Sequence, residues 1–338
     1  MLRKVGFATI SLLIISFVFV VAGLTFWKSV SKAPGNDKTI QRFLITKGSS
    51  AEKIANDLKD QNLIKSPLAF KFYTQITGIS DQIPPGEFKI SGNLSLKEVV
   101  EMLLKGPVEV WVTVPEGLRR EEIVERYIEG LGLGGTVADG FRADFLMQTR
   151  ELEGYLYPDT YLFPLDITAD KVVTKMRSTF DQKFTEKMRT DLVNKGRSID
   201  QVVILASLLE RETLTSEERP VVSGILFNRL ENDWPLQVDA SVQYAIASEN
   251  CRLQNVDCDW WPKNLTKDDL AINSPFNTYK FSGIPPSPIS SPGIISLTAV
   301  VYPEDTDYMY YIHDTDGVIH YAETLSEHNQ NVSRYLKK

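Results

Sequence analysis

The stretch VVILASLLERET, Val202 to Thr213, decides how the fold is read. Its first eight residues are apolar except Ser207, so as a helix it is buried on nearly every face. Two carboxylates then close it. Glu210 and Glu212 stand about 200° apart around the helix and cannot share one site directly. Glu212 stacks one turn beyond Leu208 and Leu209, with Ile204 and Leu205 behind, whereas Glu210 follows Ala206 and Ser207 with Val203 behind. A carboxyl group set against leucines is desolvated, which raises its pKa and keeps it protonated near neutrality, as a general acid requires. Spacing alone equally admits two solvated helix-end glutamates with Arg211 as a surface partner.

Outward from this helix, residues 116–230 read as mostly helical. Helices are predicted over 119–131, 170–194, 200–213 and 220–230, with an aromatic, Pro-containing loop, GYLYPDTY, at 154–161. Turns dominate from 232 until 308–312 and 318–321, which pair as a hairpin across the Asp314–Gly317 turn. The segments LQVD (236–239), SPFNTY (274–279) and GIPPSP (283–288) combine amides, hydroxyls and aromatic rings. Such groups bond sugar hydroxyls and stack on sugar faces. Each segment alone has a structural explanation; their co-occurrence after a helix-borne glutamate is the signal.

Toward the N-terminus, PVEVWVTVP (107–115) alternates as a strand should. Residues 41–110 carry a strand near Phe43, a helix over 51–58 with Ser50 as N-cap, a helix over 68–77, an extended stretch at 86–90 and a helix over 96–104. This order resembles a LysM-like carbohydrate-binding unit. The whole reads as an α+β protein: an N-terminal transmembrane helix, a small LysM-like module, and a larger, mostly helical domain with short strands and a hairpin.

The transmembrane expectation rests on Val5 to Trp27, a 23-residue run without a charge, bounded by Arg3-Lys4 and Lys28. As a helix it reaches about 34 Å, enough for a ~30 Å hydrocarbon core. A cleaved signal peptide usually has a shorter apolar region. Arg3 and Lys4 favour a cytoplasmic N-terminus. Cys251 and Cys258 could close a short loop in an oxidising compartment or be two unrelated thiols. The net charge of −7 is uneven: residues 1–40 carry +4, 41–110 carry +1 and 111–338 carry −12. So acidic a body is a poor partner for nucleic acid. Three histidines and two cysteines in 338 residues leave little for a metal site, and a carboxylate-based mechanism needing no cofactor is expected.

The segments ASLLERET (206–213), EERPVVSGILFNRL (217–230), LQVDASVQYA (236–245), SPFNTY (274–279), GIPPSPISSPG (283–293), SEHNQNV (326–332) and EGYLYPDTY (153–161) together resemble the YceG-like (MltG) family of endolytic murein transglycosylases. The resemblance implies a lytic enzyme of the inner membrane. It would be single-pass with a periplasmic body, would cut MurNAc–GlcNAc bonds within peptidoglycan strands, and would have peptidoglycan synthases (penicillin-binding proteins) as partners. Termination of nascent strands is the implied role. The implied catalytic residue is Glu212, acting as acid and then base to leave a 1,6-anhydroMurNAc end. Glu218, Asn228, Gln237, Asp239, Asn277 and Tyr279 are the implied substrate-binding residues. The implied division is an anchor over 1–30, a linker over 31–40, the LysM-like module over 41–110 and the catalytic domain over 111–338. A hydrolytic muramidase with a second carboxylate (Asp239, Glu218 or Asp159) and a non-catalytic peptidoglycan-binding scaffold are the competing readings.

Overall fold

The computed structural model describes residues 2–46, 48–251 and 258–336, with side chains from residue 14 onward. The chain is mixed α+β and divides into two compact units. One comprises Met1–Val112 with Tyr161–Asp166, the other Thr113–Thr160 with Ile167–Lys338.

The first unit opens with helix α1 (Leu2–Val30), then β1 (Ile40–Ile45), α2 (Ala51–Asp60), α3 (Pro67–Ile76), β2 (Gly86–Ser91), α4 (Leu96–Leu104) and β3 (Glu109–Thr113). Ser50, Ser66 and Ser95 each accept a hydrogen bond from a first-turn N–H, so three serine caps start α2, α3 and α4. Strands β1 and β2 pair antiparallel with Phe43 opposite Phe88, and both rings enter a core with Ile54, Leu58, Phe70 and Leu103. Trp27 and Val30, at the end of α1, pack on this core. The expected membrane span lies partly outside the described side chains, and among the described residues no helix is long and apolar enough to cross a membrane.

The second unit holds α5 (Arg120–Leu131) and α6 (Gly135–Gln148). After β4 (Thr160–Pro164), the outer strand of the four-stranded sheet β1-β2-β3-β4, come α7 (Ala169–Lys183), α8 (Glu186–Asn194) and α9 (Ile199–Glu212). Then follow α10 (Arg219–Glu231), α11 (Asp239–Asn250), α12 (Ile294–Val301), the hairpin β5 (Tyr310–His313) with β6 (Ile319–Ala322), and α13 (Leu325–Asn331). Helix α9 is central: Val202 through Leu209 are all buried, within a core shared with Phe180, Leu226, Val238, Ile289 and Val300. A capping box between Ser198 and Gln201 fixes its start.

Three local expectations change. The helix expected over 170–194 is two helices, because Phe184 leaves helical geometry and the Thr185 side chain caps a new start by accepting from Met188 N–H. Residues 135–148, which lie between the helices predicted from sequence, form α6, burying only Ala138, Phe141 and Phe145. The aromatic loop at 154–161 runs directly into a strand, β4.

Candidate active site

The two glutamates at the end of α9 have separate surroundings, as their angular spacing requires, but both are withdrawn from water. The Glu210 side chain is 5% exposed. It pairs with Arg219 Nη2 at 2.8 Å through one oxygen and accepts the Gly293 N–H at 2.9 Å through the other. Glu116 lies beside this pair; burial first, then the Glu210 charge, pushes its carboxyl up. Glu210 is therefore committed to holding the chain together.

Glu212 is half-buried. It accepts a hydrogen bond from the Tyr311 hydroxyl at 3.0 Å. Burial raises its pKa, and the nearby Asp239 charge pushes the same way. Tyr311, the backbone N–H of Ala240 and His313 oppose this without reversing it. Ala240 lies in the first turn of α11, whose amides favour negative charge in front of them. The Tyr311 phenol is itself pushed well up, by burial and then by the Glu212 charge, so it stays a donor.

Each neighbour is placed by identifiable contacts. Asn277 is fully buried, and its amide donates to Leu270 O and Ile272 O at 3.0 and 2.9 Å. This fixes the 274–279 loop, whose Thr278 hydroxyl accepts from Val238 N–H at 2.9 Å and whose carbonyl accepts from Gln237 N–H at 3.1 Å. Gln237 takes φ +53°, a left-handed turn immediately before α11. Tyr279 then donates to Asp239 Oδ1 at 2.6 Å. Asp239 and Tyr279 thus meet near Glu212, Gln237 is exposed beside them, and Asn277 supports them from below.

On the other side, α10 carries the hairpin into place. Asn228 Nδ2 donates to Thr306 O and Tyr308 O at 2.6 and 3.0 Å, and Arg229 Nε donates to Met309 O at 2.9 Å. Asn228 therefore grips backbone rather than presenting its amide. Glu218 lies 2.9 Å from His313 Nε2 and accepts from the Thr215 hydroxyl and Leu214 N–H at 2.8 and 3.1 Å. Burial pushes the Glu218 carboxyl up, but these hydrogen bonds outweigh it and leave it below its ordinary value. The loop at 283–293 is structural: Ile289 N–H donates to the Ser207 hydroxyl at 3.0 Å, and the Ser290 hydroxyl donates to Ser207 O at 3.1 Å.

Tyr311 and His313 were not expected. Their signal lay in the hairpin: two residues apart on one strand, they share a face, so a reading of strand parity could have paired them.

Residues 43–334 match the YceG-like family. Over 323 residues the chain is 28% identical to an endolytic murein transglycosylase of Bacillus subtilis (strain 168), covering 89% of this chain and 86% of that protein. It is 26% identical to an endolytic murein transglycosylase of Streptococcus pneumoniae (strain D39), covering 89% of this chain but 59% of that longer protein. A crystal structure of a YceG-like protein from Listeria monocytogenes superposes with a TM-score of 0.55 at 28% identity, covering 87% of this chain and 99% of that one. The matched span takes in the whole of the Glu212 neighbourhood, and the chain belongs to the YceG-like family.

Proposed function

We propose that this protein is a membrane-anchored endolytic murein lytic transglycosylase in which Glu212 is first the general acid and then the general base. The activity class follows from the relatives, which carry the name endolytic murein transglycosylase. The role of Glu212 is supported by one observation above all. It is a desolvated carboxyl with a raised pKa, bonded to a phenol and facing a helix N-terminus.

The protonated Glu212 gives its proton to the oxygen linking MurNAc C1 to GlcNAc as that C1–O bond breaks. The resulting carboxylate takes the proton of the MurNAc 6-hydroxyl, whose oxygen bonds C1 and closes a 1,6-anhydro ring. Glu212 ends protonated again, and no water is consumed. Tyr311 fixes the carboxyl orientation and stabilises the anion formed halfway. Asp239, held by Tyr279, adds negative charge where positive charge develops on the sugar.

Further features support the cellular reading. Ile14, Phe17, Phe19, Leu24 and Phe26 on α1 are exposed, which suits a helix continued into lipid. Cys251 and Cys258 are joined as a disulfide, which suits an extracytoplasmic body. The order β1-α2-α3-β2 with antiparallel strands suits a LysM-like module. Peptidoglycan strands are then the substrate, with wall synthases as neighbours.

Asp239 also keeps the two-carboxylate hydrolase in view, since it acts on Glu212 through its charge. Product mass separates the two. The lytic reaction yields anhydro ends, one water lighter than the reducing ends that a hydrolase leaves; exclusively reducing ends would replace this reading with the hydrolytic one.

A further inference from the structure

Helix α3 is apolar on two faces. Ala69, Phe70 and Thr74 are buried. On another face Leu68, Phe72 and Ile76 are 77%, 56% and 63% exposed. These three recur at four-residue intervals and form one stripe along the helix. A soluble surface helix normally places polar residues there. Its sequence, PLAFKFYTQI, contains no acidic residue and one lysine.

The position of the stripe follows from α1. The Trp27 ring lies 5.8 Å from the Phe72 ring, edge-on, and 6.3 Å from Tyr73, stacked. Trp27 ends the charge-free run that starts at Val5. The two helices are also fixed to one body: Trp27 and Val30 pack on the module core, and Leu96 N–H donates to Ser31 O at 3.0 Å. If α1 enters a bilayer, Trp27 sits at the depth where tryptophan and tyrosine concentrate, the boundary between headgroups and acyl chains. Phe72 and Tyr73 are then at the same depth. Lys28 and Lys32 follow Trp27 in the chain and Lys65 precedes α3; all three are exposed and would complement anionic headgroups.

We infer that the Leu68–Phe72–Ile76 stripe is a lipid-docking surface, which lays α3 in the interface of an anionic bilayer beside the foot of α1. This rests on the anchor reading given above. The module is thereby held against the membrane by a second, in-plane contact rather than swinging on the α1 end. Apolar side chains on one side and basic residues at the rim are what an interfacial helix uses.

The two native cysteines are paired, so an introduced cysteine is the single free thiol for a nitroxide label. Full-length Leu68→Cys, Phe72→Cys and Ile76→Cys are labelled and reconstituted in vesicles of phosphatidylcholine and phosphatidylglycerol, with exposed Lys97→Cys as the aqueous reference. Collision with oxygen, which concentrates in lipid, is compared with collision with a water-soluble nickel chelate. The ratio at all three stripe positions should exceed that at Lys97→Cys by roughly threefold or more. If the chain floats with the vesicles but the stripe labels meet nickel as freely as the reference, the docking is wrong while the anchor stands. Labels shielded from both quenchers indicate a protein neighbour, such as a second copy, and also overturn it. If the chain does not float with the vesicles, the anchor reading fails and takes the docking with it.

Discussion

At the scale of the residue, the site turns on how two glutamates on one helix end are used differently. Glu212 is desolvated, and neither its hydrogen bonds nor the His313 charge offset that, so its proton is held more tightly than in an ordinary glutamate. Tyr311 is the lever on that proton. Tyr311→Phe removes a donor that stabilises the carboxylate, so the Glu212 pKa should rise further. The acid form then persists to higher pH, and the alkaline limb of the kcat/KM profile on murein should move up, with a loss of about tenfold from a charge-assisted hydrogen bond. An alkaline limb that stays put or moves down would mean that Glu212 is not the acid. The raised pKa also carries a stability cost. Native protein holds the Glu212 proton more tightly than unfolded chain does, so stability falls as pH rises through the native value; below the ordinary Glu value of about 4.3 the cost is gone. Glu212→Gln should therefore raise Tm at alkaline pH and leave it unchanged at acid pH, read by calorimetry. The separate surroundings of Glu210 and Glu212 were legible because a helix's angular spacing can be counted. Tyr311 and His313 were left unread, since they arrive from about a hundred positions away along the chain.

At the scale of the element, the end of α9 is held by a buried ion pair. Glu210→Gln leaves Arg219 buried without its counter-charge, and breaking such a pair costs about 3–5 kcal/mol. Tm should fall by about 10 °C, while the folded fraction still cuts glycan. Elements with strong periodicity or serine caps were legible: α2, α4, α9 and the β5–β6 hairpin. The misreadings have local causes. The break between α7 and α8 depends on one threonine cap at Thr185, and α6 has a weak pattern, with Gly135 and Gly140 in its span. The backbone bonds of Asn277 and Asn228 were not legible: Asn277 donates to carbonyls 5 and 7 residues back in an irregular loop, and Asn228 to one 78 residues on.

At the scale of the whole molecule, α1 and the first unit's core are less separable than the sequence suggests, because Trp27 and Val30 pack on that core. A chain beginning at Phe26 should melt higher than one beginning at Ser31, and equal melting would show that this packing contributes nothing. Length leads to an expectation of two domains; the return of Tyr161–Asp166 to the first unit is not legible in sequence, since it depends on pairing between strands far apart in sequence. The central claim remains that one glutamate carries the chemistry. Its most direct test is digestion of purified murein sacculi by wild type, Glu212→Gln and Glu210→Gln, with chain ends read by mass. Wild type and folded Glu210→Gln should release 1,6-anhydroMurNAc ends, and Glu212→Gln should release none. Anhydro ends from Glu212→Gln at the wild-type rate would contradict the account.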